Sequence, residues 1–263
     1  MGWLSRLVGG GDRPTWDGTT GRPTSSNGAS SLHLFWTVPP SRPSVAVEAV
    51  VEVLEPPTVP ALFFWALQVN VAGPKGDGGG AHLGLQWFDR HPGSTAVNWG
   101  GYRSGGGELD GSRSALPSAA GNVNTRDYAW VPRRRYRLRV EHAGPGPNGT
   151  TAWRGSVTDL DEVRTTVVRE LWAPGDHLVG PMVWSEVFAA CDDPGTAVRW
   201  SDLVVEDASG HRTPVTEVRT NYQRVGDGGC ITTSSEVDGA GGGFVQRTGV
   251  ARTTPQGASL RVG

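Results

Sequence analysis

The sequence predicts an all-β protein, a two-sheet antiparallel β-sandwich with long Gly-rich loops and little helix. Eleven tryptophans occur in 263 residues, and nine of them fall between Trp36 and Trp200. The chain also contains 39 glycines and 19 prolines. Large aromatic side chains pack well on pleated strands, while Gly and Pro supply the backbone angles of tight turns. Many apolar anchors combined with many turn formers therefore indicate a large sandwich.

Apolar and polar residues alternate along most of the apolar stretches, as they do in strands with one buried face. At residues 61–71, Trp65 and Leu67 lie on one side and Gln68 and Asn70 on the other. The strands predicted from such patterns span residues 32–38, 45–55, 61–71, 81–88, 97–102, 133–142, 151–160, 180–189 and 196–207.

Three segments are predicted along the chain. Residues 1–31 form an N-terminal turn, at residues 3–8, and a flexible lead-in rich in Gly, Ser and Thr. Residues 32–212 form the sandwich domain, with a short helix or irregular stretch expected at 161–173. Residues 213–263 carry weaker strand patterns and are expected as a C-terminal β extension, packed on the sandwich or appended to it.

Charge and composition exclude several classes of partner. The formal net charge is −2 and the pI is near 6.3, so we expect no nucleic-acid partner. No apolar run has the length of a signal-peptide core or a membrane helix, so no membrane span is expected and a cytoplasmic location is predicted. The two cysteines are Cys191 and Cys230, and two reduced, partly buried thiols are favoured over a disulfide.

Three short motifs resemble those of a family of uncharacterised bacterial domains. They are AHLGLQWF, the later TTAWRGSVTDL and then PMVWSEVF, and Gly84, Gln86, Trp153 and Glu186 are the matching positions. The resemblance covers about residues 32–206 and implies a jelly roll of the concanavalin A-like lectin and glucanase type. The family's own function is unknown, so the resemblance implies no catalytic role for these residues.

No complete catalytic motif is present, and Glu186 and His82 are the two candidates. Retaining glucanases on such sandwiches place two carboxylates on one strand face, and no ExDxxE-type element occurs here. Glu186 follows Trp184 in an apolar strand, where burial would raise its pKa. The structural alternative is a half-exposed glutamate paired with an arginine. His82 shares a predicted strand face with Gln86.

A polar strand face, turned away from the predicted core, is the main binding candidate. Amide and imidazole groups form hydrogen bonds with sugar hydroxyls, and aromatic rings stack on the apolar faces of sugars. The alternative is a sheet face covered by a loop, with its amides satisfied internally. The predicted ligand-binding residues are Gln68, Asn70, His82, Gln86, Asn98, Tyr102, Trp184 and Glu186.

These observations favour a non-catalytic module that binds a carbohydrate or another polar ligand on a concave sheet face. The first alternative is a glycan-active hydrolase or lyase with Glu186 as acid or base and His82 assisting. The second is a structural or protein-interaction module, so a glycan, a polar small molecule or a protein is the expected partner. We predict no cofactor and no metal site; Ca²⁺ is a candidate ion that no Asp spacing supports.

Overall fold

Sixteen β-strands make up most of the chain in the computed structural model, which describes residues 16–39, 43–74, 76–239 and 241–263. The first eight strands are β1 (Ser30–Trp36), β2 (Ser44–Glu55), β3 (Phe63–Gly73), β4 (Gly76–Trp87), β5 (Thr95–Tyr102), β6 (Thr125–Asp127), β7 (Tyr136–Pro145) and β8 (Thr151–Asp159). The other eight are β9 (Arg164–Ala173), β10 (His177–Val187), β11 (Ala197–Asp207), β12 (Arg212–Pro214), β13 (Glu217–Tyr222), β14 (Thr233–Asp238), β15 (Gly243–Thr248) and β16 (Ser259–Arg261).

Helical structure in the described residues is confined to three single 3₁₀ turns, at Pro92–Ser94, Pro147–Gly149 and Val225–Asp227. In the same part of the chain, no helix has the length and apolar character needed to cross a membrane.

The strands form two antiparallel sheets that pack face to face. Sheet A has the strand order β16-β13-β1-β10-β3-β4-β5-β6. Sheet B has the order β9-β8-β7-β2-β11-β15-β14, and β12 pairs with the same edge of β11 as β15. The sheets join at one corner, where Ser44 of β2 pairs with Leu178 of β10. The predicted antiparallel β-sandwich with little helix is confirmed.

Side chains from the inner faces of both sheets form one core. Trp65 and Trp99 of sheet A and Trp153 and Trp200 of sheet B are almost completely buried there. The ring of Trp99 lies against Gly155 of β8, where a β-carbon would come within 2.7 Å of it. Glycine is therefore required at that position, and these four tryptophans act in packing.

The segment at residues 161–173 is a strand rather than the expected helix or irregular stretch. Arg164–Ala173 pairs antiparallel with β8 and forms β9, at the edge of sheet B. A register shift opposite Gly155 and Ser156 interrupts the simple alternation of β9. That bulge explains why the sequence pattern of this strand is hard to recognise.

The C-terminal segment contributes to both sheets. Strand β13 pairs with β1 and extends sheet A, while β14 and β15 extend sheet B beyond β11. At the other end of the chain, the turn predicted at residues 3–8 lies outside the described residues.

Cys191 and Cys230 form a disulfide, so the expectation of two reduced thiols is wrong. Their Cα atoms are 5.5 Å apart although the residues are 39 positions apart in sequence. The bond joins the loop after β10 to the loop before β14, and both half-cystines are buried. Only the folding of the C-terminal segment onto the sandwich brings the two together.

Candidate functional site

The eight predicted ligand-binding residues all lie on the outer face of sheet A, which we call the site face. Strand register arranges this face in four transverse rows, with neighbouring strands about 4.8 Å apart. The first row is Ser31, Glu186, Phe64 and Gln86, and the second is His33, Trp184, Ala66, Gly84 and Asn98. The third row is Phe35, Met182, Gln68, His82 and Gly100, and the fourth is Asn70, Gly80 and Tyr102.

Glu186 is a carboxyl group held by hydrogen bonds rather than by an ion pair. Its Oε1 accepts hydrogen bonds from Asn27 Nδ2 at 2.9 Å and from Ser31 Oγ at 3.4 Å. Burial raises the pKa of Glu186, and these two hydrogen bonds offset part of the rise. Among the described residues no arginine pairs with it, so the alternative of a Glu–Arg pair is wrong. Glu186 therefore keeps its proton to a higher pH than an ordinary glutamate.

Gln86 is the amide of the same row, two strands from Glu186 across Phe64. Its Oε1 lies 3.2 Å from His91 Nε2, and its main-chain oxygen accepts a hydrogen bond from Trp130 Nε1 at 3.0 Å. Within the described chain, Gln86 Nε2 has no hydrogen-bond partner. The contact with His91 fixes the amide and leaves one of its two polar atoms free for a ligand.

Aromatic rings fill the middle of the site face. The rings of Phe64 and Trp184 meet edge to face at 4.9 Å between centroids, and His82 meets Phe64 at 5.5 Å and Trp184 at 5.8 Å. Trp184 Nε1 donates to Gln68 Oε1 at 2.9 Å. Trp184 and Phe64 are each only 5% exposed, so neither offers a face on which a sugar could stack.

Burial lowers the pKa of two histidines of the site face, His82 and His33, to about 4. For His33, a backbone hydrogen bond with Asn221 offsets part of the effect. Both imidazoles are therefore uncharged at neutral pH, and a neutral imidazole has one N–H donor and one acceptor nitrogen.

The far end of the face is more exposed. Tyr102 has 57% of its surface in solvent, while Asn98 is buried and donates from Nδ2 to Thr125 Oγ1 at 2.9 Å. Asn70 lies opposite Gly80, in the row most distant from Glu186. The structure thus places all eight residues on one face, but in two groups, around Glu186 and around Asn98.

Sequence reasoning missed several residues of this face. His33 follows the same alternation in β1, opposite the buried Leu32 and Leu34, and that pattern was sufficient to find it. His91 and Asn27 lie outside strands, and no sequence signal connects them with Gln86 or Glu186. Three or more His, Cys, Asp or Glu side chains positioned to hold a metal ion are not found among the described residues.

Three solved structures that align with this chain are peptidases. Two are scytalido-glutamic peptidase, with a peptide-based transition-state analogue (11% identity, TM-score 0.46) and with a transition-state analogue inhibitor (11%, 0.44). A third is SCP-B, a member of the eqolisin family of peptidases, with the tripeptide Ala-Ile-His (10%, 0.43). Each alignment covers 88% of this chain and 99% of the other. No protein-family model and no curated protein matches the chain.

The prediction of a non-catalytic carbohydrate-binding module is wrong. The similar structures are peptidases, which are hydrolases rather than binding modules; the alternative prediction also named a hydrolase or lyase, but one that acts on glycans. The resemblance to an uncharacterised bacterial domain family stays a prediction, because no family model matches. At 10–11% identity no residue role transfers from these peptidases to this chain.

Proposed function

We propose that the protein is a hydrolase in which Glu186 is the acid–base group. The observation that supports this is a partly buried carboxyl with a raised pKa and no cationic partner among the described residues, on a polar sheet face. Most glutamates of the described chain form ion pairs, as Glu48, Glu52 and Glu206 do on the outer face of sheet B, whereas Glu186 does not. Perturbed titratable groups of this kind are typical of catalytic sites.

Glu186 is the one carboxyl in the four rows of the site face between β1 and β5, and a single carboxyl fits hydrolysis of an acyl bond better than hydrolysis of a glycoside. Glycosidases need two carboxyl groups about 5–9.5 Å apart. The next acid in the row of Glu186 is Asp127, four strands away, which is about 19 Å. Attack of water on a carbonyl needs one base and one hydrogen-bonding group, and Glu186 and Gln86 provide these about 10 Å apart across Phe64. The proposed substrate is therefore a peptide or an ester.

The chemical step uses only water and the substrate. Glu186, as a carboxylate, accepts a proton from a water molecule while the water oxygen bonds to the carbonyl carbon. Gln86 Nε2, which has no hydrogen-bond partner among the described residues, helps to hold the water and the carbonyl group in place. The bond from the carbonyl carbon to the leaving nitrogen or oxygen then breaks, and Glu186 returns its proton to the leaving group.

Substitution of Glu186 tests this function. We expect Glu186→Gln to lower kcat for peptide or ester hydrolysis by a factor of about 10²–10⁴, because the glutamine cannot transfer a proton. Glu217→Gln is the matched control: Glu217 lies in β13 of the same sheet, but it pairs with Arg261. The assays compare peptides, esters and glycosides at acidic and at neutral pH.

Hydrolysis that survives Glu186→Gln would overturn the proposal, as would a folded wild-type protein that cleaves none of the three substrate classes. Cleavage of glycosides alone, if it depends on Glu186, would overturn the acyl assignment and favour the glycan-active alternative.

We infer from the disulfide that the protein functions in an oxidising compartment rather than in the predicted cytoplasm. Disulfides persist in exported proteins and are rare in the cytosol. Thiol titration of the denatured, unreduced protein from its natural source checks this. We expect no free thiol from Cys191 and Cys230, and two free thiols would favour the cytoplasm.

A further inference from the structure

A small polar pocket lies at the far end of the site face, away from Glu186. Its volume is about 150 Å³, and it is formed by residues of β4, β5 and the loop that precedes β6. The side chains that line it include His82, Asn98, Tyr102, Glu108, Asn122 and Asn124. We call this the amide pocket. Asn98 is three strands from Glu186, which is about 14 Å.

The first observation is an unused acceptor in the wall of the pocket. Asn98 is only 8% exposed, and its Nδ2 donates to Thr125 Oγ1. Its Oδ1 is buried and has no hydrogen-bond partner in the described residues. A buried carbonyl oxygen left without a donor carries a free-energy cost. An N–H group of a ligand would remove that cost.

The second observation is the distribution of charge around the pocket. Arg169 is 3% exposed, and its Nη1 donates to Asn124 Oδ1 at 2.8 Å. Asn124 Nδ2 in turn donates to Glu108 Oε2 at 3.3 Å. No carboxylate of the described chain forms an ion pair with Arg169. Asn124 therefore links the positive charge of Arg169 to the negative charge of Glu108, and an uncharged dipolar group such as a carboxamide can align with both.

The third observation is a set of donors that faces the same space. The uncharged imidazole of His82 has one N–H, and no described residue accepts a hydrogen bond from it. Asn122 Oδ1 accepts the main-chain N–H groups of Asn124 and Thr125, at 2.9 and 2.7 Å. The Nδ2 of Asn122 is therefore free to donate to a ligand oxygen.

We propose that the amide pocket is a specificity pocket for a carboxamide side chain, that of Asn or Gln, in a peptide substrate. The carboxamide N–H groups donate to Asn98 Oδ1, and its oxygen accepts from His82 or Asn122. This inference rests on the proposed hydrolase for its peptide context. A span of about 14 Å is about four residues of extended chain, so the recognised residue lies about four positions from the cleaved bond.

Binding to the catalytically inactive Glu186→Gln protein tests the pocket separately from hydrolysis. The probes are acetylated alanine peptides that carry Gln, Glu, Lys or Met at one position, moved along the peptide in turn. At one position we expect the Gln peptide to bind about tenfold more tightly than the other three, as measured by calorimetry. Met is the matched control, because it has a similar length and no amide.

Two variants locate the effect. Asn98→Asp keeps the size of the side chain, so we expect the preference to move from the Gln peptide to the Lys peptide. Asn122→Asp keeps the oxygen that accepts the main-chain N–H groups of Asn124 and Thr125 and removes only the Nδ2 donor, so it should weaken binding of the Gln peptide by a few-fold. Equal affinity for the Gln and Met peptides at every position would overturn the proposal, even if Glu186-dependent hydrolysis is observed. Selective binding of the Gln peptide without any hydrolysis would support the pocket and overturn the hydrolase.

Discussion

The outer faces of the two sheets have the same pleated geometry but differ in charge: that of sheet B carries ion pairs, and that of sheet A carries mostly uncharged groups. On sheet B, Glu48 lies among Arg137, Arg139 and Arg212, and Arg139 and Arg212 also pair with Glu206. We call this the charged face. On the site face of sheet A, the central rows carry amides, imidazoles, aromatic rings and the lone carboxyl of Glu186.

The difference separates polar residues that stabilise the fold from those that are available for chemistry. Glu48 and Glu186 are both glutamates in central strands with restricted access to water. Burial raises the pKa of Glu48, but hydrogen bonds from Arg212 and Arg139 outweigh it, and its pKa is lowered overall. Burial raises the pKa of Glu186, and the hydrogen bonds from the neutral groups of Asn27 and Ser31 offset only part of the rise. The partners, rather than burial alone, decide what each carboxyl can do.

The largest expected effect on stability comes from breaking the charged face. We expect Glu48→Gln to lower the free energy of unfolding by about 3 kcal/mol, because the buried Glu48 carboxylate pairs with both Arg139 and Arg212 and an amide cannot replace these charge-assisted hydrogen bonds. Urea denaturation at neutral pH measures this, and kcat/KM should stay unchanged. In the control Glu236→Gln, the lost pair with Arg247 is exposed, and the cost should stay below about 0.5 kcal/mol. Equal stability of the two variants would show that the charged face does not stabilise the fold.

The effect of Glu48→Gln is the largest one at neutral pH, and an effect of similar size per histidine is expected when the site face is acidified. The folded pKa of His33 and His82 is about 4, below the ordinary value of 6.5, so the folded state disfavours their protonation. Stability is therefore present above pH 6.5 and is lost as the pH falls from there through 4, by about 3 kcal/mol per histidine. The charged face, with the lowered pKa of Glu48, loses stability only at more acidic pH.

Replacement of both histidines by asparagine should flatten the dependence of stability on pH in that window. NMR titration of the ring protons checks the midpoints directly. Midpoints near 6.5 would mean that the site face is more hydrated than its geometry indicates.

The smallest expected effect concerns the acid of the site itself. The folded pKa of Glu186 is raised, so its charged form is penalised at neutral pH and the penalty disappears as the carboxyl takes up its proton. We expect Glu186→Gln to raise the free energy of unfolding by on the order of 1 kcal/mol at neutral pH and by nothing once wild-type Glu186 is protonated. Thermal unfolding at the two pH values measures this. A variant that is less stable at neutral pH would indicate that Glu186 has a structural role like that of Glu48.

Strand alternation was sufficient to assign many residues to a face. The pattern in β3, β4 and β5 separated Trp65 and Trp99 from Gln68, His82 and Asn98, because successive side chains of a strand point to opposite sides. The same pattern in β1 also contained His33. The pairing of the strands, and hence which residues become neighbours across the sheet, could not be predicted from alternation. The neighbours of Glu186 come from β1, β3 and the loop at Asn27, which are more than a hundred residues away in sequence.

Composition and alternation, which are local properties, were enough to predict an antiparallel sandwich with tryptophans in its core. They also predicted a polar outer face with Glu186 on it. Long-range contacts decided the remaining features. Among the described residues, the lack of an arginine beside Glu186, the unused oxygen of Asn98 and the disulfide between Cys191 and Cys230 each depend on segments that meet only in the folded chain. The reason is physical: a pKa, an unpaired hydrogen-bond acceptor and a covalent cross-link are properties of neighbours in space, and strand pairing chooses those neighbours.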